Sequence, residues 1–261
     1  MMKKYILLLS LCALAPAVSF AETPEEKGLA IAQEADRRDL GWGDSTNDML
    51  MILRNKQGEE STRTIRNQSL EVQGDGDKGL GVFDDPADVK GTVQLTYSHK
   101  QGTDDQWLYL PALKRVKRIA ADDKSGSFMG SEFAFEDISS QEVEKYTYKY
   151  LRDEALNGQD CFVIERYPVA EYSGYKRQTV WLDKAEYRVQ KTEFYDRKDS
   201  LLKTLTFRGY VKYLDKYWRP AEMYMENHQT GKSTLLKWSN YQFRVGLTDA
   251  DFTQESLKRA R

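Results

Sequence analysis

Few residues in this chain of 261 could do covalent or metal chemistry. The two histidines, His99 and His228, flank turn-like segments, and neither has a Cys or His at metal-ligand spacing. Cys161 has no histidine near it in sequence and sits in the apolar run Cys161-Phe162-Val163-Ile164, which reads as an inert buried thiol. The acidic pairs Asp84-Asp85, Asp104-Asp105 and Asp122-Asp123 read as solvated turns rather than paired acid and base groups. Gly74-Asp75-Gly76-Asp77-Lys78-Gly79 alternates Gly and Asp, yet lacks the ligand spacing and terminal Glu of a calcium loop. No Gly-rich phosphate loop leads from a strand into a helix. These residues imply no catalysis, no metal and no cofactor, and they turn attention to non-covalent binding.

The stretch that stands out is Asp105 to Ile138. It opens on Trp107-Leu108-Tyr109-Leu110-Pro111, continues through a basic run at Lys114, Arg115, Lys117 and Arg118, and ends in an aromatic cluster at Phe128, Phe133 and Phe135. The first part reads as strand, turn, strand. The second is irregular and rich in large apolar groups, so it must dock on an apolar surface or cover one. Phe128, Met129 and Phe133 are therefore candidates for a lid over a lipid-sized cavity. A thioether such as Met129 adapts to acyl chains of varied shape. Lys114, Arg115 and Arg118 are candidates for a rim that meets an anionic headgroup or an acidic partner; the same charges also suit a strand edge guarded against aggregation.

The elements that must position these groups follow from patterning. Lys3 and Lys4 precede an apolar stretch, Ile6 to Leu14, too short to span a bilayer, and Ser19-Phe20-Ala21 offers small residues for cleavage. A signal peptide over residues 1–21 is expected, with residues 22–261 forming one domain in the periplasm. Lipoprotein anchoring through Cys12 is the lesser alternative, since Leu11 rather than a small residue precedes it. Removing Lys3 and Lys4 takes the net charge from −2 to −4, mild enough to argue against nucleic-acid binding. With Cys161 as the sole cysteine left, a core rather than a disulfide must hold the fold.

Thr23-Pro24-Glu25-Glu26 has the signature of a capped helix start, with Leu29, Ala32, Ala35 and Leu40 at helical spacing. From Met49 onward twelve segments have strand character, separated by short turns such as Asn157-Gly158 and Thr230-Gly231. Gly74 to Lys90 reads as a loop that tucks Phe83 down, and Ala120 to Gln141 is the longest strand-free stretch. Short connections favour an antiparallel meander. Many strands carry large side chains on both faces, as Met49, Met51 and Leu53 do opposite Leu50 and Ile52. Either a curved sheet with helices packed inside it or a tight filled barrel satisfies that pattern.

Asp105-Gln106-Trp107-Leu108-Tyr109-Leu110-Pro111, Arg118-Ile119 and Ser127-Phe128-Met129-Gly130-Ser131-Glu132-Phe133 resemble the periplasmic outer-membrane lipoprotein-sorting-type proteins of the LolA-like superfamily, as do Gly41-Trp42-Gly43-Asp44 and Met49-Leu50-Met51. Phe83, Pro86 and Gly91-Thr92 fit as well, and the resemblance runs from about Glu26 to Leu257. It implies a mainly β fold: a strongly curved antiparallel sheet, a half-barrel of about 11–12 strands, with helices covering its concave face over a hydrophobic cavity. It also implies lipid or acylated lipoprotein as cargo, peripheral contact with membranes and a resistance-nodulation-division-type inner-membrane transporter as partner. A monomer without catalytic residues is expected. On this reading Met49, Met51, Trp107, Tyr109, Trp181, Met223 and Met225 are candidates for the cavity wall. The rival reading is a docking or sensor subunit of such a transporter with no cargo. An outer-membrane barrel fits poorly, because charges interrupt both faces of most strands.

Overall fold

The computed structural model describes residues 21–259; the expected leader and Cys12 fall outside the described residues. After helix α1 (Pro24–Asp39) come strands β1 (Asp44–Arg54), β2 (Glu60–Leu70), β3 (Lys78–Asp85), β4 (Val93–Tyr97), β5 (Asp105–Leu110) and β6 (Arg115–Arg118). A long irregular segment with three 3-10 turns leads to β7 (Tyr146–Leu156), β8 (Gln159–Pro168), β9 (Tyr175–Asp183), β10 (Val189–Asp196) and β11 (Leu201–Arg208). The chain ends with β12 (Val211–Tyr213), β13 (Tyr217–Arg219), β14 (Glu222–Asn227), β15 (Ser233–Phe243) and a single-turn helix α2 (Ser256–Arg259).

Thirteen strands form one antiparallel sheet in the order β6-β5-β4-β3-β2-β1-β15-β14-β11-β10-β9-β8-β7, and β12 pairs only with β13. The sheet does not close: β6 and β7 are its two edges. It is strongly curved nonetheless. Lys145, just before β7, reaches Asp104, just before β5, at 2.9 Å, although those strands lie near opposite ends of the order.

That order dictates the role of the irregular segment. Because β6 and β7 lie at opposite edges, residues 119–145 have to cross the whole inner face of the sheet. The crossing segment is pinned on both sides. Gln106 of β5 donates to Phe135 O at 2.9 Å and Ser139 Oγ at 3.0 Å, while Glu132 N donates to Thr234 Oγ1 of β15 at 2.9 Å. Phe128 and Phe133, almost wholly buried, pack with Met49, Met51, Phe83, Leu205 and Met225. Where a lid was expected, the structure has a plug.

Helix α1 carries the expected capping box between Thr23 and Glu26. Its buried face is Gly28, Ile31 and Ala32 rather than the stripe through Leu29 and Leu40, which are both exposed. Gly28 is the reason: a Cβ there would come within 2.8 Å of the β7 backbone at Lys149 and Tyr150. The helix therefore rolls its glycine onto the strand. Gly28→Ala should lose about 1–3 kcal/mol from this clash, although alanine favours helices by about 1 kcal/mol. Chemical denaturation checks it; an unchanged midpoint would mean that α1 can lift away.

Three strand assignments differ from the sequence reading. Residues 78–85 are a strand, not a loop, because Gly79 and Gly81 break the visible alternation. A Cβ on Gly81 would approach Asn67 Oδ1 to 3.2 Å. The expected strands Lys203–Tyr213 and Tyr217–Asn227 are each split, at Gly209 (φ +64) and Pro220. The excursion between the splits is the β12–β13 hairpin, which leaves the sheet and rejoins it where Ala221 N donates to Arg208 O at 3.0 Å.

Candidate functional site

Directly opposed residues in a sheet share a face, and the register fixes which face is which. Met49 stands opposite Ile65 and Trp238, Met51 opposite Leu236, and Met223 and Met225 opposite Leu236 and Thr234. These point inward, together with Asn47, Asn67, Gln94, Ile164 and Val180. The inner face, α1, the plug and the β12–β13 hairpin line an open cavity of about 1010 Å³. Strands β4 and β8, both represented in its lining, would lie about 43 Å apart in a flat sheet, so the curl creates this space.

The hairpin is held in place as a wall. Tyr210 Oη donates to Val189 O at 2.5 Å, Tyr217 Oη to Leu40 O at 3.2 Å, and Arg219 pairs with Asp39 at 2.6 Å. Arg188 pairs with the buried Asp183 at 2.8 Å and lies 4.4 Å from the Trp218 ring.

The lining is amphipathic, not uniformly oily. An apolar strip runs through Met49, Leu236, Trp238, Met223, Ile164, Val180 and Leu182. A polar band runs through Ser45, Asn47, Asn67, Gln94, Thr96 and Ser98. An acidic quarter gathers Asp36, Asp39, Asp77 and Glu142, which also line an adjoining recess of about 340 Å³. Burial raises the pKa of Asp36 and Asp39 and carries Asp77 up to about 7. A carboxyl taken out of water resists ionising unless a partner compensates.

The structure brings only part of the expected site together. Met49, Met223 and Phe133 line the cavity. Met51 and Met225 are buried in the core beneath the plug, Phe128 is a side chain of the plug buried in that same core, and Met129 packs against it with φ +50. Trp107 and Tyr109 face the opposite way: they lie across from Leu95 and Val93 on the outer face, where Phe252 and Leu257 of the C-terminal tail cover them. Trp181 is on the outer face too. It packs with Cys161 and Val163, donates to Glu154 Oε1 at 3.1 Å and has Lys191 Nζ 3.5 Å from its ring. These three tryptophan and tyrosine side chains are thus absent from the cavity wall, because an outer face covered by other groups attracts aromatics as strongly as a cavity does. Lys114, Arg115 and Arg118 lie at the exposed β6 edge, away from the cavity, with Arg118 paired to Asp105. Cys161 is fully buried, and burial pushes its thiol up.

Sequence reasoning missed Arg166, Arg188, Trp218 and Trp238. The run Trp218-Arg219-Pro220 was the available signal: a proline inside a strand pattern marks an edge or a break, and this break sends the hairpin over the cavity.

A family model described as "uncharacterized protein" matches residues 75–259. The crystal structure of an outer membrane lipoprotein-sorting protein domain from Vibrio parahaemolyticus is 62% identical, covers 90% of this chain and 100% of its own, and superposes with a TM-score of 0.89. A DUF1329 family protein from Desulfovibrio piger is 34% identical over 90% of this chain and 99% of its own, with a TM-score of 0.85. A LolA superfamily protein from Nitrosomonas europaea, 22% identical over 88% of this chain and 98% of its own, shares the fold at a TM-score of 0.70. No curated protein sequence matches. With these relatives the chain belongs to the family that holds the Vibrio lipoprotein-sorting domain and the DUF1329 protein, and its open thirteen-stranded sheet shares the fold of the LolA superfamily protein.

Proposed function

We propose that this protein is a periplasmic carrier that shelters the acyl chain of a lipid or lipid-modified protein on its way between membranes, with a membrane transporter as donor or acceptor. The observation that carries the reading is the cavity of about 1010 Å³ with apolar side chains such as Met49, Met223, Leu236, Ile164 and Val180 in its lining. It has the size of a small-molecule site. Each methylene drawn from water onto the strip contributes about 0.8 kcal/mol, so a long chain binds well even beside polar neighbours. The likeness to the Vibrio lipoprotein-sorting protein domain supports the same role.

Native mass spectrometry of the delipidated protein mixed with membrane lipids tests it. The wild type should show a lipid adduct. The double variant Met223→Trp/Val180→Trp, which fills the strip, should lose at least about 90% of that adduct, because overpacking leaves no room for a chain. A wild type without adducts from any lipid class would sink the proposal.

One observation favours a second reading, a docking subunit without cargo. Lys114 and Arg115 are exposed at an edge strand and, among the described residues, have no carboxylate within ion-pair distance. Such charges steer association with an acidic surface. On that reading Lys114→Glu/Arg115→Glu abolishes capture of membrane-protein partners while the strip-filling variant leaves it intact; the opposite pattern favours the carrier.

A further inference from the structure

One charged group inside the cavity has no counter-charge. Arg166 of β8 lines the cavity beside Ile164 and Val180. Its Nε donates to Gln178 Oε1 at 2.7 Å, and its Cζ lies 4.5 Å from the Tyr146 ring centroid. Gln178 is buried and Tyr146 stacks below, so the guanidinium plane is fixed. The terminal amino groups take no protein acceptor, and among the described residues no carboxylate lies within ion-pair distance of Arg166.

Every other guanidinium in the lining has an acidic partner: Arg37 and Arg38 share Glu34, Arg188 takes Asp183 and Arg219 takes Asp39. Lys212 and Lys216 are exposed on the hairpin. Arg63, also on the inner face, does not line the cavity. Arg166 alone is thus a cation held in place, half-buried and open on its cavity side. A guanidinium so placed binds carboxylate or phosphate in a forked, charge-assisted geometry.

We propose that the cavity prefers amphiphiles ending in an oxyanion, with the carboxylate or phosphate on Arg166 and the chain along the strip from Val180 and Ile164 towards Met223. The inference rests on the carrier reading and names its ligand class. The quarter of Asp36, Asp39, Asp77 and Glu142 supplies no cation to hold an oxyanion, so Arg166 sets the orientation.

Three probes of equal chain length test it by calorimetric titration of the delipidated protein: hexadecanoate, hexadecyl phosphate and hexadecanol. The wild type should bind at least one anion about tenfold or more tighter than the alcohol, since a hydrogen bond to a charged group is worth about that much. The anion that binds tighter identifies the source as a fatty acid or a phosphate head. Arg166→Gln should bring the anions down to the alcohol's affinity without changing the alcohol's, and Arg166→Lys should fall between. Equal wild-type affinity for all three probes overturns the role of Arg166 while leaving the carrier intact, and this comparison needs no variant to fold. Anion binding that survives Arg166→Gln overturns it equally. If none of the probes binds, the carrier reading fails first.

Discussion

Lys203→Met should destabilise the protein by about 3–5 kcal/mol, the usual cost of stranding one member of a buried ion pair. Lys203 of β11 and Asp137 of the plug are both almost wholly buried and lie 2.7 Å apart. Lys203 also donates to Glu132 O at 2.9 Å. Asp137 gathers two more donors, Tyr175 Oη at 3.0 Å and Ala134 N at 2.7 Å. Removing the ammonium leaves an almost wholly buried carboxylate with two neutral donors to hold it.

The double variant Lys203→Met/Asp137→Asn makes the prediction sharper. An amide in place of Asp137 still accepts from Tyr175 and Ala134 and carries no charge to strand. The double variant should therefore regain part of the loss and unfold at higher urea than Lys203→Met alone. Such non-additivity is what coupled neighbours show. Two outcomes would count against the role of this pair in seating the plug: a Lys203→Met loss under about 1 kcal/mol, or a double variant no better than the single one.

The plug also shows where the sequence was readable and where it was not. Its existence was legible: residues 120–141 were strand-free and aromatic, and a segment of that kind has to sit on apolar surface. Its anchoring was not, since Lys203 and Asp137 lie 66 residues apart, and nothing local announces such a pair. The helix cap at Thr23 and Glu26 was legible because capping is a matter of four consecutive residues. Strand existence was mostly legible too, and β3 escaped only because two glycines erased its period.

Facing was the harder question. In β5, alternation separates Trp107 and Tyr109 from Gln106 and Leu108, but it cannot say which set meets the cavity. The C-terminal tail lays Phe252 and Leu257 on the outer face, so both faces of β5 are covered and the aromatic set takes the outer one. Gln106, which looks like a solvent-facing residue, is fully buried on the inner side because Phe135 O and Ser139 Oγ accept from its amide. Trp181 follows the same logic, with Leu151 and Leu156 packed beside it. When both faces are covered, a period of two gives the register of a strand without its direction.

Stability of this fold should fall as pH rises from about 4.5 to 7, and Glu136 should carry a separable share of the fall. The Glu136 carboxyl, in the 3-10 turn Phe135–Asp137 of the plug, is pushed up to about 7, first by burial and then by the neighbouring Asp137 charge. Hydrogen bonds from Ser173 Oγ at 2.7 Å and Gly174 N at 2.9 Å oppose the shift without cancelling it. Below its ordinary value of 4.5 the group is protonated in both folded and unfolded chains and makes no difference. Between 4.5 and 7 the unfolded chain releases a proton that the folded chain retains, so folding weakens, and above 7 the loss is complete at roughly 3 kcal/mol. Asp77, also raised to about 7, acts in the same window with the same sign. Glu34 and Asp75, held down near 2 by their partners, act below it. Glu136→Gln isolates the one group: its amide oxygen still accepts from Gly174 N, and it has no proton to lose. Urea midpoints for wild type and variant should nearly coincide at pH 5 and separate as pH rises, with the variant ahead at pH 8. A gap that stays constant over that range would mean the carboxyl reaches water through the plug and titrates as an ordinary glutamate.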